Sequence, residues 1–462
     1  MVQERRLSGE GIDRGRHRTR VVEQDKETRR SQGRVERVRR LPRPDKQTRK
    51  TIEYGLAASK PAQPVVRERD SGMANVLVYH RSMGAPNTAN LSGWDYRELA
   101  SRLPARTLID FHAHLNGPHA AAVYSEVASL FGVRWTLSQT RLADAQAIRD
   151  ILGDRIRFVA IWDWSEPDRG RMIREGFVEA IPLWHDRFGA RVVKLWGAPR
   201  LWDLAASSSR DPRDAVPLDS EWRIRAATVA QDLGMAIMVH VADPDTWFAT
   251  KYADSQKYGT KRAHHDALER MLDRFPGPWI AAHMGGSPED LGFLSGLLQR
   301  HSNLYLDTSA TKWVVRELSR HPREIVREFF TRWRGRILFG SDIVTTDEHL
   351  IPKPAGAATP MGDLAQSPDE AFDLYASRYW ALRTLLETRH EGPSPIADPD
   401  LMMVDPVRNG PTASPILRGA GLDDETLASL MADAAQRLFD SLAPRPKGPP
   451  LPPPDARAPA SH

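Results

Sequence analysis

The chain has 462 residues, no cysteine, 35 prolines and a formal net charge of +5, which excludes disulfides, thiolate catalysis and cysteine-bound metal clusters. No apolar run approaches the roughly 18 residues a membrane-spanning helix needs, and the opening MVQERRLSGEGIDRG lacks the apolar stretch of a secretory signal. The expectation is a cytoplasmic protein, long enough for one large domain with extensions.

Residues 1–72 hold 20 Lys and Arg against 11 Asp and Glu, a net of +9 that leaves −4 on residues 73–462. Poor in aromatics and without apolar periodicity, this stretch reads as a disordered basic leader. Met73 of MANVLVYH is an alternative start. Because the basicity belongs to the leader and not to the body, no nucleic-acid groove is expected.

Strand-like runs follow at TLIDF (107–111), VRWTLS (133–138), IRFVAIW (156–162) and RVVKLW (191–196). They continue with MAIMVH (235–240), WIAAH (279–283), NLYLDTS (303–309) and RILFGSD (336–342). Each is nearly continuously apolar, as strands covered on both faces are. A stretch of helical character follows each of the first seven, such as LDSEWRIRAATVAQDLG after the fourth. Eight βα units over about 240 residues predict an α/β fold, a (β/α)8 TIM barrel. A doubly wound sheet would be favoured by GxGxxG after the first strand, which is absent. DEAFDLYASRYWALRTLLE and DDETLASLMADAAQRLF then read as extra C-terminal helices that close or cap the barrel, which places the body at 73–442. From Ala443 the chain carries 8 prolines in 20 residues and reads as a disordered, polyproline-like tail (443–462).

The chemistry gathers at the C-terminal ends of these strands, the face where barrel active sites lie. The first strand ends in Asp110-Phe111-His112-Ala113-His114, and residues i and i+2 of an extended segment share a face. His240 closes the fifth strand, His283 the sixth and Asp342 the eighth. Histidines with an aspartate at one barrel end suit a divalent ion, zinc first, with a position open for water. Asn116 follows the HxH pair and either binds substrate or caps a helix. Trp196 and Arg200 end the fourth strand, where the guanidinium would suit a substrate carboxylate or a structural ion pair. Thr308 and Ser309 end the seventh strand. The long aromatic and basic loop after His240 has the make-up of a lid, with His264 and His265 on the helix that follows.

FHAHLNG, the lysine of VVKLW, IMVHVADP, IAAHMGG and ILFGSD, in this order, resemble the amidohydrolase superfamily. They are most similar to its amidohydrolase-related branch, which includes aminocarboxymuconate-semialdehyde decarboxylase and resorcylate-type decarboxylases. The likeness covers about Leu108 to Phe439, and Asp433-Ala434-Ala435 departs from the branch's usual Asn-Ala pair. The resemblance implies His112, His114, His240 and Asp342 as metal ligands, and His283 as the residue that moves protons or polarises water or substrate. Asp342 doubles as proton acceptor. Lys194 corresponds to the lysine that bridges two ions in two-metal members, unless it pairs with a carboxylate or lines the substrate site. The implied activity is hydrolysis of a small-molecule ester, lactone or amide through a metal-activated water. The alternative is non-oxidative decarboxylation of an aromatic or unsaturated acid. A third reading is a metal-binding protein without activity. Homo-oligomers are common among such barrels, but the sequence locates no interface.

Overall fold

The computed structural model describes residues 86–354 and 361–442. The expected leader (1–72) and tail (443–462) lie outside the described residues. Nine parallel strands form one sheet: β1 (Leu108–Leu115), β2 (Val133–Ser138), β3 (Ile156–Ala160), β4 (Val192–Trp196), β5 (Ala236–His240), β6 (Trp279–Ala281), β7 (Leu304–Asp307), β8 (Ile337–Leu338) and β9 (Ile343–Thr345). The spatial order is β8-β7-β6-β5-β4-β3-β2-β1-β9, so each strand from β1 to β8 lies beside its neighbours in sequence. That order, with a helix after each unit, is the α/β barrel expected from the sequence.

The eighth strand carries one local departure. Its first half, β8, pairs with β7 through Leu306 and Ile337, whereas its second half, β9, pairs with β1 through Ala113 and Ile343. Between the halves, Phe111 N donates to Phe339 O and Asp342 N donates to His112 O, both at 2.8 Å. One interrupted strand therefore touches both β7 and β1 and completes the ring. The interruption falls at Asp342, whose φ is +57°.

The helices cover the ring with apolar faces at helical spacing. Lys261–Arg274 begins with Thr260 Oγ1 accepting from Ala263 N and buries Ala267, Leu268, Met271 and Leu272. Each such leucine contributes on the order of 2 kcal/mol on leaving water. The helix Pro368–Glu387 starts at Ser367, whose hydroxyl accepts from Glu370 N, and carries Tyr375, Arg378 and Tyr379 over the β1 and β9 side. The last helical stretch includes a wide turn over Ser429–Asp433, where Leu430 O accepts from Phe339 N at 3.0 Å. The two C-terminal helical segments thus brace the closing strand, as the sequence suggests.

Candidate active site

β1 presents His112 and His114 on one face, with ring centroids 5.5 Å apart. Asp342 Oδ1 lies 3.2 Å from His114 Nε2 and 3.5 Å from His112 Nε2. One ligand atom from each of these three residues falls within a 4.8 Å span. His112 is fully buried, while His114 and Asp342 keep 30% and 27% of their side chains open. The group is anchored in the ring and exposed at the mouth.

Asp307, at the end of β7, organises the imidazoles. His112 Nδ1 donates to Asp307 Oδ2 at 2.8 Å, and His283 N donates to Oδ1 at 2.8 Å. Ser309 Oγ donates to Asp307 Oδ1 and accepts from His283 Nδ1 at 2.7 Å. With both Nδ1 atoms committed as donors, the Nε2 lone pairs of His112 and His283 are left for other partners. At His112 that lone pair accepts from Lys194 Nζ at 3.3 Å. The His283 ring lies 4.9 Å from His112 and 4.5 Å from His240 by centroid.

Electrostatics keep these groups in the states a metal site requires. Burial opposes ionisation of Asp342, but the hydrogen bond from His114 and the charges of His283 and His112 outweigh it and hold the carboxyl well below its usual range. Asp307 is likewise held low against burial by His112, His283 and Ser309. Burial, reinforced by Lys194, takes His112 down to about 4 despite Asp307. His283 falls well below its ordinary value through burial and the neighbouring His240. Burial takes Lys194 to about 8, although Asp307 and Asp342 oppose it. His112 and His283 are therefore neutral near pH 7, as a ligand or proton acceptor must be.

Backbone strain collects at the same place. All four non-glycine residues with positive φ among the described residues are His283, Met284, Ala310 and Asp342. Each costs on the order of 1–3 kcal/mol and persists only where its surroundings over-determine it. His283 therefore sits on a left-handed turn after β6 and not on the strand itself. Gly286 continues that turn, and a Cβ there would come within 2.0 Å of Ala242 O on the β5 loop.

The other expected site residues are distributed unevenly. His240 ends β5 beside His283, with its Nε2 bonded to Asp243 Oδ1 at 2.7 Å and its Nδ1 without a bond among the described residues. Trp196 packs against Trp162 and Trp164 with centroids 5.8 and 6.0 Å away. Asn116 spends both amide ends on backbone, accepting from Arg141 N and donating to His114 O, so its side chain fixes the β1 loop. Arg200 is exposed at the start of the helix Leu201–Ala205. His264 and His265 lie on the helix after β5, as expected. In the segment before it, expected to have the make-up of a lid, Tyr258 OH donates to Asp203 Oδ1 at 3.0 Å on the β4 side.

Sequence reasoning passed over Asp307, Asp243 and Trp313. Asp307 carries a legible signal, an acid closing an apolar strand in register with the other strand-end ligands. Trp313 carries none, because its ring reaches His283 (5.8 Å) only through the turn at Ala310.

The amidohydrolase family model matches residues 98–440, and the chain belongs to that family, whose members are metal-dependent enzymes. Among solved structures, the chain is similar to a 2,6-dihydroxybenzoate decarboxylase (12% identity, 73% of this chain and 99% of that one, TM-score 0.38). It is similar also to a zinc-bound amidohydrolase from Burkholderia multivorans (13% identity, 73% and 100% coverage, TM-score 0.37). A third is 5-carboxyvanillate decarboxylase from Sphingomonas paucimobilis (11% identity, 60% and 99% coverage, TM-score 0.29). No curated protein matches the sequence. The membership rests on the family match alone.

Proposed function

We propose that the chain is a metal-dependent hydrolase acting on a small-molecule ester, lactone or amide. The observation that carries this reading is the convergence of His112, His114 and Asp342 beside the neutral His283. The donor set fits a divalent ion of the zinc type: two imidazoles and a carboxylate within bonding reach, one imidazole oriented by Asp307. His240 would complete the set through Nδ1. Bound there, such an ion supplies a Lewis acid and lowers the pKa of a water. His283 accepts a proton at Nε2 while Ser309 holds its Nδ1–H, and Asp342 is the second acceptor. Trp313 lies against His283 and His240, and Trp196 is paired in register with His240, so apolar surface beside the ligands would hold back bulk water and orient a small substrate. Lys194 beside His112 leaves a second-metal bridge open.

A decarboxylase on the same scaffold is the second reading. One observation favours it: the half-buried Arg378, on the helix whose Tyr379 bonds Asp110, donates only to Ser377 Oγ among the described residues, which leaves guanidinium N–H groups for a carboxylate.

The first experiment is elemental analysis of protein purified without chelator, followed by assay of ester, lactone and amide panels. About one equivalent of zinc or another divalent ion per chain with hydrolytic turnover supports the reading. About two equivalents assign Lys194 as a bridging ligand. No metal even after reconstitution overturns it.

A further inference from the structure

Several buried arginines of this molecule are paired. Arg174 meets Asp214 at 2.6 Å, Arg383 meets Glu387, and Arg316 sits among Glu317, Asp398 and Asp400. Pairing is the normal condition of a charge removed from water, because only a partner at bonding distance offsets the lost hydration. Arg223 departs from it. The residue is wholly buried, yet among the described residues its guanidinium makes a single hydrogen bond, from Nε to Ala215 O at 2.8 Å. Nη1 and Nη2 are closed off from solvent and have no partner. No carboxylate offsets the charge: burial and then the neighbouring Arg174 take its pKa down to about 9. Asp214, on the same loop as Ala215, is held by Arg174 through both of its oxygens.

The orphaned groups belong to the start of a helix. Glu221–Asp232 has Ser220 as its N-cap, and Arg223 follows three residues later. Those two positions form the capping box, in which the later side chain, Glu or Gln, reaches back as an acceptor. Arg223 has donors only. Ser220 makes no cap bond either, and its Oγ is another buried group without a partner. Unpaired first-turn N–H groups add partial positive charge at this end of the helix. The guanidinium also lies over the Trp162 ring, with Cζ 5.3 Å from the centroid. Stacking engages the flat face of the cation, whereas its N–H groups point outward in the plane and still require an acceptor. Trp162 and Ala215 are buried as well, so the acceptor must be small.

We propose that Arg223 Nη1 and Nη2 hold one small monovalent anion, chloride in first place, at the start of the helix Glu221–Asp232 and behind Trp162. The seat lies between the helix layer and the end of β3, and no part of the inference rests on the metal reading. Its occupant would fix the guanidinium against Trp162. That ring in turn meets Trp164 and Trp196 at 5.2 and 5.8 Å, and Trp196 is paired in register with His240. A bound anion would thereby stiffen the aromatic surface beside the candidate ligands.

The test is thermal unfolding of the full chain, dialysed into sodium gluconate, as sodium chloride replaces gluconate at constant ionic strength. Gluconate is too large for the seat. The unfolding midpoint is expected to rise with chloride and level off, as for a ligand that binds only the folded state. Arg223→Met should abolish the rise, and Arg223→Lys, which keeps the charge without the fork, should need at least tenfold more chloride for the same effect. Equal midpoints in the two salts, or an undiminished rise in Arg223→Met, overturn the proposal. Crystals of the parent grown in sodium bromide decide the matter even if the methionine variant fails to fold. An anomalous bromide peak against Nη1 and Nη2 is expected; a water or a carboxylate of the chain in that place overturns the anion seat.

Discussion

At the scale of single residues, Asp307 decides which nitrogens of the site are available. It fixes His112 directly and His283 through Ser309, so one carboxylate sets the tautomers of two imidazoles. Asp307→Asn keeps the shape and removes the charge. It is expected to lower zinc affinity roughly 10- to 100-fold, measured by competition with a chromophoric chelator. His283→Ala is expected to keep the metal content and lose turnover; unchanged turnover would remove its role as proton acceptor. Lys312 gives a pH prediction. Burial, then Arg378, pulls its pKa below the ordinary 10.5, so the unfolded chain binds more protons in that window. Stability should rise with pH as Lys312 deprotonates in the fold, and Lys312→Met should flatten that rise. At neutral pH this variant should be more stable by on the order of 1 kcal/mol, the stability cost of a half-buried cation that burial and Arg378 oppose more than Asp398 and Asp400 favour. A less stable variant in denaturant titration would contradict this. His112, His114 and Asp342 were legible because each sits in a motif at a strand end. Asp307 was equally placed, but no paired motif drew attention to it.

At the scale of elements, the eight strands were legible because buried parallel strands are written as continuous apolar runs. Their ends were less so. The sixth was expected to reach His283 and the eighth to run unbroken to Asp342, yet both residues occupy the left-handed region. Nothing in a one-dimensional pattern marks a histidine or aspartate that its neighbours force into positive φ. Ala310 offers a clean test of that strain, since its φ of +60° suits glycine. Ala310→Gly is expected to be neutral or stabilising by up to about 1 kcal/mol, while Ala310→Val destabilises; thermal unfolding of both reads the sign. Tyr379 links the closing helix to the first strand, donating to Asp110 and meeting Tyr124 OH at 2.7 Å. Tyr379→Phe should therefore cost about 1–2 kcal/mol with the helix intact by circular dichroism.

At the scale of the whole molecule, the charge divides unevenly, +9 on residues 1–72 and −4 on the rest. A chain beginning at Met73 is expected to keep its metal content and unfolding midpoint while moving from cation- to anion-exchange behaviour. Loss of folding would show the leader to be structural. The interrupted eighth strand has a wider consequence. The start and the end of the sheet, residues 108–115 and 343–345, meet along three paired residues and two further backbone bonds beside them. His112 and His114 lie on one side of that join and Asp342 on the other. An ion held by all three would act as a rivet through the seam of a rolled sheet, tying the start of the barrel to its end. Its contribution would then be mechanical as well as chemical. Chelation should lower the unfolding midpoint, by the equivalent of about 2.7 kcal/mol if the ion had been present at a hundred times its dissociation constant. The amides of Asp342 and Ile343 should be the first to exchange with solvent.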